Sequence, residues 1–155
     1  MKLTNQTTYA IRMLMYCNTK EGLCTVGEIA RFYNLPEKFL LKILNILNKK
    51  GFVKTVRGRG GGITLGRPAE EMRLGDIVRE VEDNFSMAEC FDNPGTTCPL
   101  QNTCGLNEAL GRALGAFFDT LNEYTLVDLT EKRHNINVLL QLHEATKEPL
   151  RSAVY

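Results

Sequence analysis

The 155-residue sequence predicts a mainly α-helical fold with a small β-wing: a winged helix-turn-helix followed by a long helix suited to pairing two subunits. Three observations carry that expectation. Residues 26–50 hold two helical patterns separated by a short turn, and residues 52–65 read as two short strands around an Arg- and Gly-rich turn. From Leu106 to about Tyr124 the periodicity is helical without a break. Charge divides along the same lines, since residues 1–67 hold 12 Lys and Arg against 3 Asp and Glu, whereas residues 68–155 hold 7 against 15. A basic front and an acidic rear suggest a module that meets an anion, followed by one with another task.

The first pattern, NQTTYAIRMLMYC over residues 5–17, repeats Tyr9, Met13, Tyr16 and Cys17 at helical spacing without Gly or Pro, as in a half-buried helix. Cys17 is expected there as a small core hydrophobe. Asn18 to Cys24, with Gly22, reads as a turn, and Thr25-Val26-Gly27-Glu28 as a capping box opening a helix over Val26 to Tyr33. The next helix spans roughly 36–50, between Pro36 and the stop at Gly51. Its apolar Leu40, Ile43, Leu44 and Leu47 fall on one side, and Lys38, Lys42, Asn45 and Lys49 form a narrow band opposite. Lys and Asn can reach base edges and phosphates when such a face enters a major groove. Strands over Phe52–Val56 and Ile63–Leu65 then flank a tip with Arg57, Arg59 and glycines 60–62, which allow positive φ and close backbone approach, a tip suited to a minor groove or phosphates. A nucleotide cradle is excluded because neither G-x-x-x-x-G-K-[ST] nor a following helix is present.

Leu74 to Phe85 gives a short helix with Leu74, Ile77, Val78 and Val81 inward. It leads into ECFDNPGTTCPLQNTCGLN, where Cys90, Cys98 and Cys104 are spaced C-x7-C-x5-C among Pro and Gly. Thiolates select zinc or iron–sulfur clusters. The spacing matches neither paired zinc knuckles nor ferredoxin runs, and leaves both metals open with iron–sulfur preferred. The long helix places apolar residues at 106, 110, 113, 114, 117, 121 and 124, and Gly111 and Gly115 leave a shallow patch for another backbone. A further helix is expected after Thr125 and a frayed tail over 146–155; His134 and His143 read as surface or packing residues.

Five cysteines in a chain with no signal-like apolar segment and no 18-residue apolar run point to a cytoplasmic protein that touches no membrane and has no disulfide framework. No nucleophile–base constellation or cofactor fingerprint suggests an enzyme. The organisation expected is a DNA-binding domain over 1–67, a connecting helix and cysteine loop over 68–105, a dimerisation helix and C-terminal helix over 106–145, and the tail.

The opening MKLTNQTTYAIRML, the wing TVRGRGGGITLGRP, the helix LGDIVREVE and the three cysteines before a long helix resemble the winged-helix regulators that include IscR and NsrR. Within that family, YAIRMLMYC, NFSMAECF and CPLQNTCGLNEAL are most similar to the rhizobial iron regulators. The resemblance implies a homodimeric repressor of double-stranded operator DNA with one 4Fe-4S cluster per subunit on Cys90, Cys98 and Cys104. It also implies base contacts from Lys38 and Lys42 and minor-groove insertion of Arg57. The usual fourth ligands differ: Asn107 stands where IscR-like members have His, and Thr8 where NsrR-like members have Asp. An iron without a strong fourth ligand suits an iron sensor, and equally a nitric-oxide or redox sensor. An iron–sulfur electron carrier is the competing class, which leaves the basic front unexplained.

Overall fold

The structure is a computed structural model that describes residues 2–88, 98–100 and 104–131. Helix α1, Asn5–Thr19, is capped by Thr4, whose hydroxyl accepts from Thr7 N–H, and it buries Thr7, Ala10, Met13, Leu14, Tyr16 and Cys17. Helix α2, Val26–Tyr33, opens on the anticipated capping box: Glu28 N–H donates to the Thr25 hydroxyl, and Thr25 N–H donates back to the Glu28 carboxylate. Burial opposes ionisation of Glu28, but Lys20 at 2.6 Å and the Thr25 backbone and hydroxyl hold its carboxyl below the ordinary value.

Asn34 ends α2 in the left-handed region at φ 52, where Asn is tolerated, and Leu35 N–H reaches back to the Ala30 carbonyl at 2.9 Å. This tight reversal sets the angle of helix α3, Glu37–Lys49, which buries Leu40, Ile43, Leu44 and Leu47 as its periodicity requires. Pro36 stands at the N-cap rather than inside the first turn. Edge-on aromatic contacts fasten the pair of helices to α1: Tyr9 to Phe39 at 5.8 Å and Tyr16 to Phe32 at 5.2 Å between ring centroids.

Strands β1, Val53–Val56, and β2, Gly62–Leu65, pair antiparallel with Val53 opposite Leu65 and Val56 opposite Gly62. A third segment joins the wing at its base, where Cys24 and Ile63 exchange both backbone hydrogen bonds, 3.0 and 2.7 Å. A 3-10 turn, Ala69–Glu71, leads to α4, Leu74–Val81, which ends four residues before the anticipated Phe85 and buries Ile77, Val78 and Val81. Helix α5, Gly105–Asn122, and helix α6, Leu126–Glu131, complete the described chain.

One core runs through all of this, from Ala10 and Leu14 in α1 to Met72, Ile77 and Leu126. The α5–α6 turn is sewn to the approach to α4: Leu74 N–H donates to the Tyr124 carbonyl at 2.8 Å, and Leu126 N–H to that of Met72 at 2.9 Å. Thr125 and Asp128 repeat the capping-box exchange at the start of α6, and Asn18 of α1 donates to the Thr130 hydroxyl at 2.8 Å. The face of α5 turned to α4 is not the expected stripe. Phe118 carries the contact, with Phe85 at 4.8 Å and the Arg79 guanidinium at 4.1 Å from its ring. The expected stripe is left open instead, with Leu106 64% and Tyr124 41% exposed and Leu110, Leu114, Phe117 and Leu121 half-buried. A Cβ added at Gly111 or Gly115 would meet no other atom within 4 Å. Among the described residues no helix is long and apolar enough to cross a membrane.

Candidate nucleic-acid interface and cysteine loop

Burial of one side of α3 turns the other side outward. Lys38, Lys42, Asn45 and Lys49 are all exposed, as the periodicity requires, because the buried four residues face α1 and α2. The same face holds two residues that the sequence reading passed over. Leu41 lies beside Lys38 and is 45% exposed, and Asn48 is exposed about two turns further on. A solvent-facing Leu in a run of buried leucines is hard to separate by composition, although its helical angle places it at the edge of the polar band, beside Lys38 and Asn45. Apolar side chains on such a face suit thymine methyl groups.

At the wing, Arg57 and Arg59 stand exposed on either side of Gly58. The positive φ expected within glycines 60–62 falls at Gly60, at +83, and a second stands outside the run at Gly58, at +106; Gly61 N–H closes the turn on the Gly58 carbonyl at 2.9 Å. Gly61 serves a different need, since a Cβ there would sit 2.2 Å from the Val56 carbonyl oxygen. The turn therefore throws both arginines away from the core on a short, fixed hairpin. Two neighbouring cations are engaged elsewhere. Lys50 pairs with Glu80 at 2.5 Å, and the Arg67 guanidinium stacks 4.3 Å over Phe52.

The reading helix, its supporting helix and the basic wing form a winged helix-turn-helix, and a model of the Rrf2 family, described as iron-dependent transcriptional regulators, matches residues 3–132. The chain belongs to the Rrf2 family. It is 51% identical over 154 residues to Protein aau3 of Rhizobium meliloti, covering 99% of this chain and all of that one. To the HTH-type transcriptional regulator NsrR of Bacillus licheniformis it is 40% identical over 142 residues, 90% of this chain and 99% of NsrR. Among solved structures it is similar to CymR, the global cysteine regulator of B. subtilis, with a TM-score of 0.71 and 27% identity, covering 86% of this chain and 98% of CymR. As an Rrf2 protein the chain is a DNA-binding transcriptional regulator.

In this Rrf2 chain the cysteine loop leaves the end of α4 and returns at α5. Cys98 is exposed, and Cys104 is half-buried at the N-cap of α5, where its side chain makes no capping bond. Cys90 lies outside the described residues, as do His134 and His143. Asn107, in the first turn of α5, is half-buried. The Thr8 hydroxyl donates to the Thr4 carbonyl at 2.6 Å, as a helix-surface threonine commonly does. Where the loop begins, the buried Glu82 carboxylate accepts from both Thr4 N–H at 2.9 Å and the Thr4 hydroxyl at 3.1 Å, and the Gln6 amide donates to the Val81 carbonyl at 3.0 Å. Glu82 was not singled out by the sequence, where it reads as one more charged residue in an acidic run.

Proposed function

We propose that this Rrf2 regulator is an iron-responsive repressor that binds a pseudo-palindromic operator as a homodimer when each subunit carries a 4Fe-4S cluster, and lets go when the cluster is lost. The observation that carries the reading is where the cysteine loop is attached. It starts at Glu82, bonded to the N-cap of α1, and ends at Cys104, the N-cap of α5.

The donor chemistry fits the group. Cys98 and Cys104 present thiols unused by any capping bond, Cys90 completes the set in sequence, and the positive end of α5 favours an anionic assembly beside Cys104. When bound, such a cluster supplies an iron that is removed as iron becomes scarce. Asn107 and Thr8 offer an amide and a hydroxyl, neither a strong iron ligand, so these two positions would hold a fourth iron only weakly.

The chain's own residues do the rest. Tied thiolates fix the end of α4 against the start of α5, and through Glu82 and Thr4 that geometry bears on α1 and the helices packed on it. The open stripe of α5, with Leu106 and Leu110 and the bare Gly111 and Gly115, supports pairing with a second subunit, which sets the spacing of two reading heads about one helical turn apart. Lys38 and Lys42 address bases, Arg57 enters the minor groove, and Asn45, Lys49 and Arg59 hold bases or backbone nearby.

Anaerobically purified protein should show a broad absorbance near roughly 400 nm. Cys98→Ala should remove it together with operator binding in a gel shift. A variant that binds as tightly as the loaded wild type ends the proposed coupling. Nitric oxide is the second reading of the signal, because the same weakly held iron would be open to it. Faster cluster loss under nitric oxide than under an iron chelator, both anaerobic, would select it.

A further inference from the structure

Away from the loop, two cysteines that belong to neither the reading face nor the proposed cluster meet inside the DNA-binding unit. Cys17, in the last turn of α1, and Cys24, in the segment joined to β2, bring their sulfurs to 2.9 Å from each other. Cys24 is fully buried and Cys17 is 8% exposed.

We infer that Cys17 and Cys24 form a reversible thiol–disulfide site that clamps the end of α1 to the base of the wing under peroxide. A disulfide needs the sulfurs about 2.05 Å apart, less than about 1 Å closer than they stand, and only the short turn through Gly22 separates the two residues in sequence. The polarity of the pair suits the chemistry. The hydrogen bond from Cys17 outweighs burial and holds the Cys24 thiol below its ordinary value, Lys20 acts in the same direction, and the same bond together with burial pushes Cys17 up. The thiolate is the reactive form.

The reaction closes without another partner. The Cys24 thiolate attacks one peroxide oxygen as the O–O bond breaks, giving a sulfenic acid and, after protonation, water. The Cys17 sulfur then displaces hydroxide from the Cys24 sulfur and gives up its proton, releasing a second water. Two thiols have lost two electrons and two protons, and one peroxide has been reduced to two waters. A cellular thiol reverses the bond by exchange. The product joins α1 to a segment that already exchanges both backbone hydrogen bonds with Ile63, so the constraint falls on the seat of the wing.

The sequence supplies a direct test on the full chain. Trypsin cuts after Arg12, Lys20 and Arg31, so the two cysteines fall in separate peptides, Met13–Lys20 and Glu21–Arg31. After treatment with hydrogen peroxide, alkylation and digestion without reductant, these peptides should run as one species two hydrogens lighter than their sum, separated by dithiothreitol. Recovery of both as alkylated thiols while the loop cysteines oxidise overturns the inference, and so does Cys17 or Cys24 linked to a loop cysteine. The oxidised wild type should also melt at a higher temperature than the reduced chain, a difference absent in Cys24→Ser. An oxidised chain that melts no higher means the link forms only in unfolded molecules, and overturns the clamp.

Discussion

Replacing Lys42 with alanine tests the orientation of α3 more sharply than a loss of affinity alone. Lys42 is exposed on the face opposite Ile43 and Leu44, so truncation should leave the core untouched and act through charge. Each phosphate neutralised contributes about −0.9 to the slope of log K against log salt. On random-sequence DNA, where the operator's base contacts are not made and Lys38, Lys42, Lys49, Arg57 and Arg59 each neutralise one phosphate, a dimer has a slope of about −9 and loses roughly 10⁵-fold in affinity between about 50 and 200 mM salt. Lys42→Ala in both subunits lowers the slope to about −7 and the loss to roughly 10⁴-fold. Fluorescence anisotropy on a random-sequence duplex across that range measures it, because the electrostatic contribution does not require the operator. Lys50→Ala is the control. Its ammonium is paired with Glu80 at 2.5 Å and it lies off the band, so its slope should stay near that of the wild type. Equal slopes for wild type and Lys42→Ala, or a larger change for Lys50→Ala, would refute the assignment of this face to DNA.

Leu41→Ala should change stability by less than about 0.5 kcal/mol, because the side chain is already largely in water, while weakening operator binding with no change of salt slope. Thr25→Ala should cost about 1 kcal/mol in urea denaturation by removing the acceptor for Glu28 N–H. Glu28 has a lowered folded pKa, so its contribution is present above the unfolded value of about 4.3 and is lost as pH falls through the folded one; Glu28→Gln should flatten the acid limb of the stability profile. Phe118→Ala removes the aromatic contact between α5 and α4 and should cost about 3 kcal/mol, read by thermal or chemical denaturation.

The winged helix-turn-helix was legible because its signals are local. Thr25 and Glu28 sit at capping-box spacing, the buried and exposed sides of α3 follow from a 3.6-residue period, and a glycine-rich turn between β-branched runs has few uses. What escaped the sequence depends on how distant segments meet. Phe118 lies among several apolar residues of α5, and only packing on α4 chooses it over Phe117 as the inward one. Leu41 is chemically the same as Leu40 and differs by one step of helical rotation. Cys24 was hidden in a turn, since neither its backbone pairing with Ile63 nor its approach to Cys17 leaves a mark in residue spacing. At the wing the GGG run does what its composition suggests, with a positive φ at Gly60 and close backbone approach at Gly61 and Gly62, whereas Gly58, isolated between two arginines, supplies a second positive φ that the run did not point to.

Helix α1 connects these separate observations, and the magnitudes make it a credible carrier of the signal. At its first turn Thr4 is held by two bonds to the Glu82 carboxylate; bonds to a charged group are worth about 1.5–3 kcal/mol each. Coupling between a regulatory site and a binding site usually amounts to about 1–3 kcal/mol. Loss of one of the two Thr4–Glu82 bonds is therefore of the same size as the coupling that the proposed switch requires. From there α1 runs as 15 continuous residues, about 22 Å, without Gly or Pro to absorb a displacement. Tyr9 and Tyr16 lock it to Phe39 and Phe32 of the reading unit, Asn18 ties it to α6, and Cys17 abuts the segment under the wing. Under the proposed switch, a shift of α4 at Glu82 would reach α3 through packed aromatic rings rather than through a flexible connection, and the wing and α3 would move with the same element.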